Sequence, residues 1–201
     1  EKIMAIRNQR IEFRYIKNQL DRMNEKIKKE FVVCYSEFDD SLPYVIGLDF
    51  GFNPDPDAMV KVAVDNKNKI IYAKELMYKD SQGTSTLIQA MGEVVSKKDK
   101  IIADSAEKRL INDIRNSGFN IHSVSKNRII DDLKIMDDFK IVYTDDSFNL
   151  RKELNNYCWS DKKAGVPIDA LNHVCDGLRY ASMYLIKLGS KYTRSTTTEA
   201  F

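Results

Sequence analysis

Apolar residues recur every seven positions at the start of the chain: Ile6, Phe13, Leu20 and Ile27 form one series, with Ile16 and Met23 between them. That spacing predicts an amphipathic helix through the first thirty residues, packed on its own domain or a neighbouring one, or paired as a short coiled coil. No Gly or Pro interrupts the chain before Pro43. At Tyr44 the period shortens. Tyr44 to Gly51 reads as a short apolar strand ending in Asp49 and a glycine, followed by the turn formers Asn53-Pro54-Asp55-Pro56-Asp57. Residues 59–64 and 69–76 read as two further strands joined at Asp65-Asn66-Lys67-Asn68, which predicts an antiparallel meander.

Helical and strand periods then alternate. Helices are predicted over 83–96, 107–116, 128–136 and 150–157, with strands over 100–104, 120–124 and 140–143. A long final helix is predicted over 169–188, and the Thr-rich stretch 190–201 reads as a disordered polar tail. A meander followed by alternating α and β units implies an α/β domain with a mixed sheet flanked by helices. The expected organisation is a helix or connector over 1–43, the α/β domain over 44–189, and the tail. A chain that opens without Met inside a helical pattern is expected to be part of a larger protein.

Composition narrows the class. The 201 residues are 43% hydrophobic and 31% charged, enough apolar material for one globular domain without disulfides. Apolar runs are too short to span a membrane, and no signal-peptide pattern opens the chain. The formal charge is +2, but residues 1–30 carry nine basic against five acidic residues, so a local basic face is possible while a uniformly basic chain is not. Cys34, Cys158 and Cys175 show no CxxC spacing and are expected to be reduced and buried, as in a cytoplasmic protein. With two histidines they make no standard structural zinc site.

Two strands end in carboxylates, Asp49 and Asp104. Ligands of open α/β sheets collect at the carboxyl ends of strands, so neighbouring strands would bring these acids into one site. Close carboxylates repel unless a cation separates them, and all-oxygen ligands select hard ions such as Mg²⁺ or Mn²⁺. Taken singly, each is as readily a turn or cap residue. On the last helix Asp169, His173 and Asp176 share one face by their four- and three-residue spacing. Asp169 suits a helix N-cap and His173 a surface position. Asp176 is the candidate third acid.

Acids on the first strand, a later strand and the last helix resemble the ribonuclease H-like fold. Within it, Gly47-Leu48-Asp49-Phe50-Gly51 followed by 53–58, then Ile102-Ala103-Asp104-Ser105-Ala106, then the run from Asn172-His173 through Asp176 to Arg179-Tyr180, resemble the nuclease domain of the large terminase subunit of tailed bacteriophages. The likeness covers about Tyr44 to Leu188. It implies that Asp49, Asp104 and Asp176 bind metal, with Asp49 bridging two Mg²⁺ or Mn²⁺ ions. It further implies that His173 assists at the metal or the scissile phosphate, and that Asp169 stands nearby as a supporting acid. The implied activity is endonucleolytic cutting of concatemeric double-stranded DNA with little sequence preference, by two-metal hydrolysis.

Implied partners are double-stranded DNA, an ATPase motor domain in the same full-length chain, a small terminase subunit and a portal protein, in the host cytoplasm. No GxxxxGK[ST] loop occurs here, so the motor is not in this sequence. Lys108/Arg109, Lys126/Arg128 and Lys162/Lys163 are candidates for backbone phosphate contacts, although a solvated surface explains each pair as well. Competing readings are an actin-like ATPase, a transposase or integrase of the same fold, and a non-catalytic docking module. The residues after Asp104 lack the second glycine-bearing phosphate loop of the first, and Asp176 stands where the second mostly carries Glu.

Overall fold

A computed structural model describes residues 12–13, 31–34, 38, 42–52, 54–81, 83–124, 127–157 and 172–196. Its eight strands are β1 (Glu12–Phe13), β2 (Phe31–Cys34), β3 (Tyr44–Asp49), β4 (Pro56–Asp65), β5 (Ile70–Asp80), β6 (Ile101–Ala103), β7 (Ile121–Ser123) and β8 (Lys140–Thr144). The helices among these residues are α1 (Thr84–Val94), α2 (Lys108–Asn116), α3 (Ile129–Met136), α4 (Phe148–Asn156) and α5 (His173–Thr196). All strands join one mixed sheet in the order β1-β2-β8-β5-β4-β3-β6-β7. β3, β4 and β5 form the expected antiparallel meander, while β6, β7 and β8 add in parallel.

Period-two alternation sorts the central strands between two cores. On one face Val45, Ala58, Val60, Val62, Ile71 and Ala73 pack with Leu133, Leu150, Leu154, Val174 and Leu178 of α3, α4 and α5. On the other, Ile46, Leu48 and Met59 pack with Leu87 and Met91 of α1 and Ile111 and Ile114 of α2. β3 is buried from Val45 to Leu48 because both its faces are covered.

α5 reaches the sheet through a backbone-to-backbone contact. A Cβ built on Gly47 would collide with the carbonyl oxygen of Gly177, whereas one on Gly177 would sit in ordinary contact, 3.4 Å from Gly47 and Val60. The sheet therefore needs a bare Cα at position 47, and the helix comes to rest directly over it.

Three expectations need correction. Of the helix expected over 1–30, only Glu12–Phe13 lie among the described residues, and they form a strand paired antiparallel with β2. The Phe31-Val32-Val33-Cys34 run suits an extended chain, and an edge strand joins it by main-chain hydrogen bonds that side-chain periodicity does not register. Because β2 pairs in parallel with β8, the sheet takes in residues ahead of Tyr44 and the domain does not begin there. Residues 190–196, expected to be disordered, continue α5 to Thr196. Extending an established helix costs little beside nucleating one. The expected start of α5 at Asp169 lies outside the described residues. Cys175 is free and buried, as expected, and no helix among the described residues is long and apolar enough to cross a membrane.

The glycine contact gives an asymmetric expectation. Gly47→Ala forces α5 off the sheet and should cost about 1–3 kcal/mol. Gly177→Ala should cost less, since its Cβ finds room and alanine favours the helix. Urea unfolding of the two variants beside the parent checks both.

Candidate active site

The ends of β3 and β6 bring the first two acids together. These strands are parallel neighbours with Leu48 opposite Ala103, so the next residues, Asp49 and Asp104, leave the sheet side by side. The third acid comes from α5, whose contact at Gly177 holds the preceding residue, Asp176, beside the end of β3. Asp49 is mostly buried, and its carboxyl is pushed up to about 6, chiefly by burial and further by Asp176 and Asp104; His173 opposes the shift. Asp176 is raised by burial and by Asp104, against the pull of Arg179 and His173. The three carboxylates thus form one electrostatic cluster.

His173 lies across that cluster. Its Nδ1 is 3.2 Å from Asp49 Oδ2 and its Nε2 is 3.7 Å from Asp55 Oδ1. The hydrogen bond with Asp49 raises the imidazole pKa despite its burial, with Asp49, Glu153 and Asp55 adding to the effect. Tyr180 places its hydroxyl 3.5 Å from the second Asp49 oxygen.

The start of α5 is fixed by a backbone carbonyl and by a carboxylate from α4. Asn172 precedes the helix, and its carbonyl accepts the Asp176 N–H at 2.7 Å. The fully buried Glu153 of α4 accepts the Cys175 N–H at 3.0 Å. This satisfies a donor that the helix terminus leaves open and opposes the positive end of the dipole. Glu75 of β5 does the same for α4, accepting the Leu150 N–H at 2.8 Å. At the start of β4, buried Asp57 accepts the Gly51 N–H at 2.9 Å and folds the loop after Asp49 back on itself. A Cβ on Gly51 would collide with the Asp55 and Pro56 backbone.

The donor chemistry suits a hard divalent cation: three carboxylates at one sheet end, two of them disfavoured as anions by their surroundings. As placed, however, no three His, Cys, Asp or Glu side chains among the described residues stand close enough to enclose an ion. Asp104 stands just after the three-residue β6. It is half-exposed, and its Oδ1 accepts the Ala106 N–H at 3.1 Å in a turn of its own.

Of the residues singled out in the sequence, Asp49, Asp104, His173 and Asp176 therefore gather at one place. Asp169, Lys126, Lys162 and Lys163 lie outside the described residues. Lys108 and Arg109 are exposed at the start of α2. Arg128 is exposed too, with its guanidinium on Asp131 at 2.8 and 3.2 Å. Sequence reading assigned no role to Asp55, Asp57, Asp132, Glu153 or Arg179. Glu153 was detectable as an acid on an apolar helical face, between Leu150 and Leu154. Asp55 and Asp57 were hidden among turn formers.

Comparison with known proteins identifies the family. Residues 49–183 match the terminase RNase H-like domain family, and the chain belongs to that family. It is 29% identical over 126 residues to the PBSX phage terminase large subunit of Bacillus subtilis strain 168, covering 61% of this chain and 29% of that protein. It is also 29% identical over 145 residues to the terminase large subunit of Bacillus phage SPP1, covering 67% and 34% respectively. The chain thus spans about a third of the length of these relatives. In fold it is similar to the crystal structure of the large terminase nuclease domain from bacteriophage SPP1 with bound Mn, with a TM-score of 0.66 and 24% identity, over 80% of this chain and 98% of that one. Family membership favours the terminase reading over the actin-like ATPase and the transposase or integrase.

The raised pKa values carry a sign. Asp49 and Asp176 hold protons more tightly folded than unfolded, and so does His173, so the stability they contribute is present in acid and lost as pH rises. For Asp49 the loss falls between the usual carboxylate range and about 6. In chelator, Asp49→Asn should therefore gain on the parent by on the order of 2 kcal/mol between pH 4 and pH 7. Urea midpoints at the two pH values read the difference.

Proposed function

We propose that this chain is the nuclease domain of a phage DNA-packaging terminase and hydrolyses phosphodiester bonds of double-stranded DNA with divalent metal. The observation that carries this reading is the electrostatic coupling of Asp49, Asp104 and Asp176 at one end of the sheet, in a chain of the terminase RNase H-like family. The bound manganese of the similar SPP1 domain supports the choice of ion.

Asp49, on a strand inside the sheet, would hold two Mg²⁺ or Mn²⁺ ions jointly, with Asp104 and Asp176 each completing one set of ligands. Asp104 would turn from the Ala106 N–H to do so. Such ions supply an activated water, neutralise charge on the phosphoryl oxygens and stabilise the leaving oxygen. His173 orients Asp49 through Nδ1 and presents Nε2 toward Asp55, where it can hold a proton beside the scissile phosphate. Asp169 would support the start of α5.

Lys108, Arg109 and Arg128, with Lys126, Lys162 and Lys163, would contact backbone phosphates, giving affinity without base preference. The motor domain, small subunit and portal of a complete terminase, in the host cytoplasm, would be its partners. Asp55 and Asp57 would shape the loop beside the cut.

Supercoiled plasmid incubated with the chain and Mn²⁺ should be nicked and linearised, and EDTA should stop it. Asp49→Ala, Asp104→Ala and Asp176→Ala should each abolish cutting, while His173→Ala should slow it about 10–100-fold. Full cutting by Asp104→Ala would overturn the assignment.

A further inference from the structure

Behind Asp176 lies a buried chain of polar groups that the catalytic reading leaves unused. Arg179, one turn further along α5, is 6% exposed, and Asp132 of α3 is 4% exposed. The Arg179 guanidinium donates to Asp176 Oδ1 twice, from Nη2 at 2.9 Å and from Nε at 3.3 Å. Its Nη1 faces Asp132 Oδ2 at 3.4 Å, and Asp132 Oδ1 accepts from Asn127 Nδ2 at 2.7 Å. Asn127, just ahead of α3, thus holds Asp132, which shares the arginine that holds Asp176. The guanidinium also lies over the Tyr180 ring, 4.6 Å from its centre.

Two consequences follow from this arrangement. First, both Arg179 donors fall on the same oxygen of Asp176. The other oxygen, Oδ2, has the long 3.4 Å contact from Asn172 Nδ2. Arg179 therefore fixes the rotation of the carboxyl group and leaves Oδ2 as the atom with capacity for a cation. Second, an arginine paired with Asp176 alone would cancel the charge a cation needs. Asp132 supplies a second anion to the same guanidinium, which keeps part of the Asp176 charge uncompensated. A buried cation between two carboxylates also avoids the larger cost of a buried charge left without a partner.

We propose that Asp132 and Arg179 are positioning residues for the metal site: Arg179 orients Asp176 so that Oδ2 is the donor, and Asp132 balances the arginine so that Asp176 still attracts a divalent cation. The inference rests on the metal-dependent reading above. Its distinct content is that metal affinity is set from α3, through a residue that touches neither metal nor DNA.

The test is Mn²⁺ binding by the whole 201-residue chain, read as free Mn²⁺ by electron paramagnetic resonance and paired with plasmid cutting over a Mn²⁺ series. Asp132→Asn should weaken Mn²⁺ binding about tenfold or more, with cutting restored at higher Mn²⁺. Asp132→Glu, which keeps the carboxylate, should restore much of the affinity. A structural role alone would lower the unfolding midpoint and reduce cutting equally at every Mn²⁺ concentration. That result, or parental affinity in a folded Asp132→Asn, overturns the proposal.

If Asp132→Asn does not fold, Asn127→Ala, at an exposed position, decides instead. It releases Asp132 and should weaken binding severalfold, and unchanged affinity overturns the inference. A parent chain that binds no Mn²⁺ defeats the metal-dependent reading itself and this inference with it. That failure is distinguishable, because it appears before any variant is made.

Discussion

The contact between Gly47 of β3 and Gly177 of α5 is the constraint on which the site depends. A helix normally stands off a sheet by the thickness of two layers of side chains. Here the backbones meet, because a Cβ at position 47 has no room. The acid before Gly177 and the acid two residues after Gly47 are therefore held as neighbours by main-chain packing, not by long side chains with many rotamers. With Leu48 in register with Ala103, the third acid leaves the sheet at the same edge. Catalytic groups are placed most precisely when rigid elements carry them, and two of the three acids meet that condition.

Crowding acids in this way costs stability, and the surroundings show how the cost is contained. Asp49 is held against burial and two like charges by His173, Asp176 by Arg179, and Arg179 in turn by Asp132. The helix ends are treated similarly, since Glu75 caps α4 and Glu153 on α4 caps α5. Each carboxylate anchors the element that bears the next, so the position of His173 traces back through α4 to β5. Buried polar groups of this kind contribute little net stability and much specificity of arrangement, because each one is costly outside its single partnered geometry.

Much of this was legible in the sequence, for reasons that can be named. The strands announced themselves by apolar runs bounded by turn formers, and the acids by standing at the ends of those runs. The meander and the alternating units then followed from order alone. What stayed hidden depended on partners distant in sequence. β1 and β2 join the sheet by main-chain pairing with each other and with β8, which no local period encodes. Arg179 was quoted as part of a motif, but its link to Asp132 spans 47 positions and exists only once α3 packs on α5. Gly47 was quoted as part of a motif, but the need for a glycine there is set by α5 and shows only in the fold.

The three acids differ in how firmly they are held, and that difference suits their work. Asp49 is fixed by its pairing with Ala58 of β4 and by His173, and Asp176 by Arg179 and the capped start of α5. Asp104 follows a three-residue strand and is half-exposed, its Oδ1 accepting the Ala106 N–H in a turn. A cluster of like charges needs one member that can adjust at small cost when a cation or a phosphate arrives, because two rigid walls cannot close on an ion of different size. Turning a side chain in a half-exposed turn costs less than moving a packed helix or a central strand. The site thus has two sides held by packed elements and one carried on a turn.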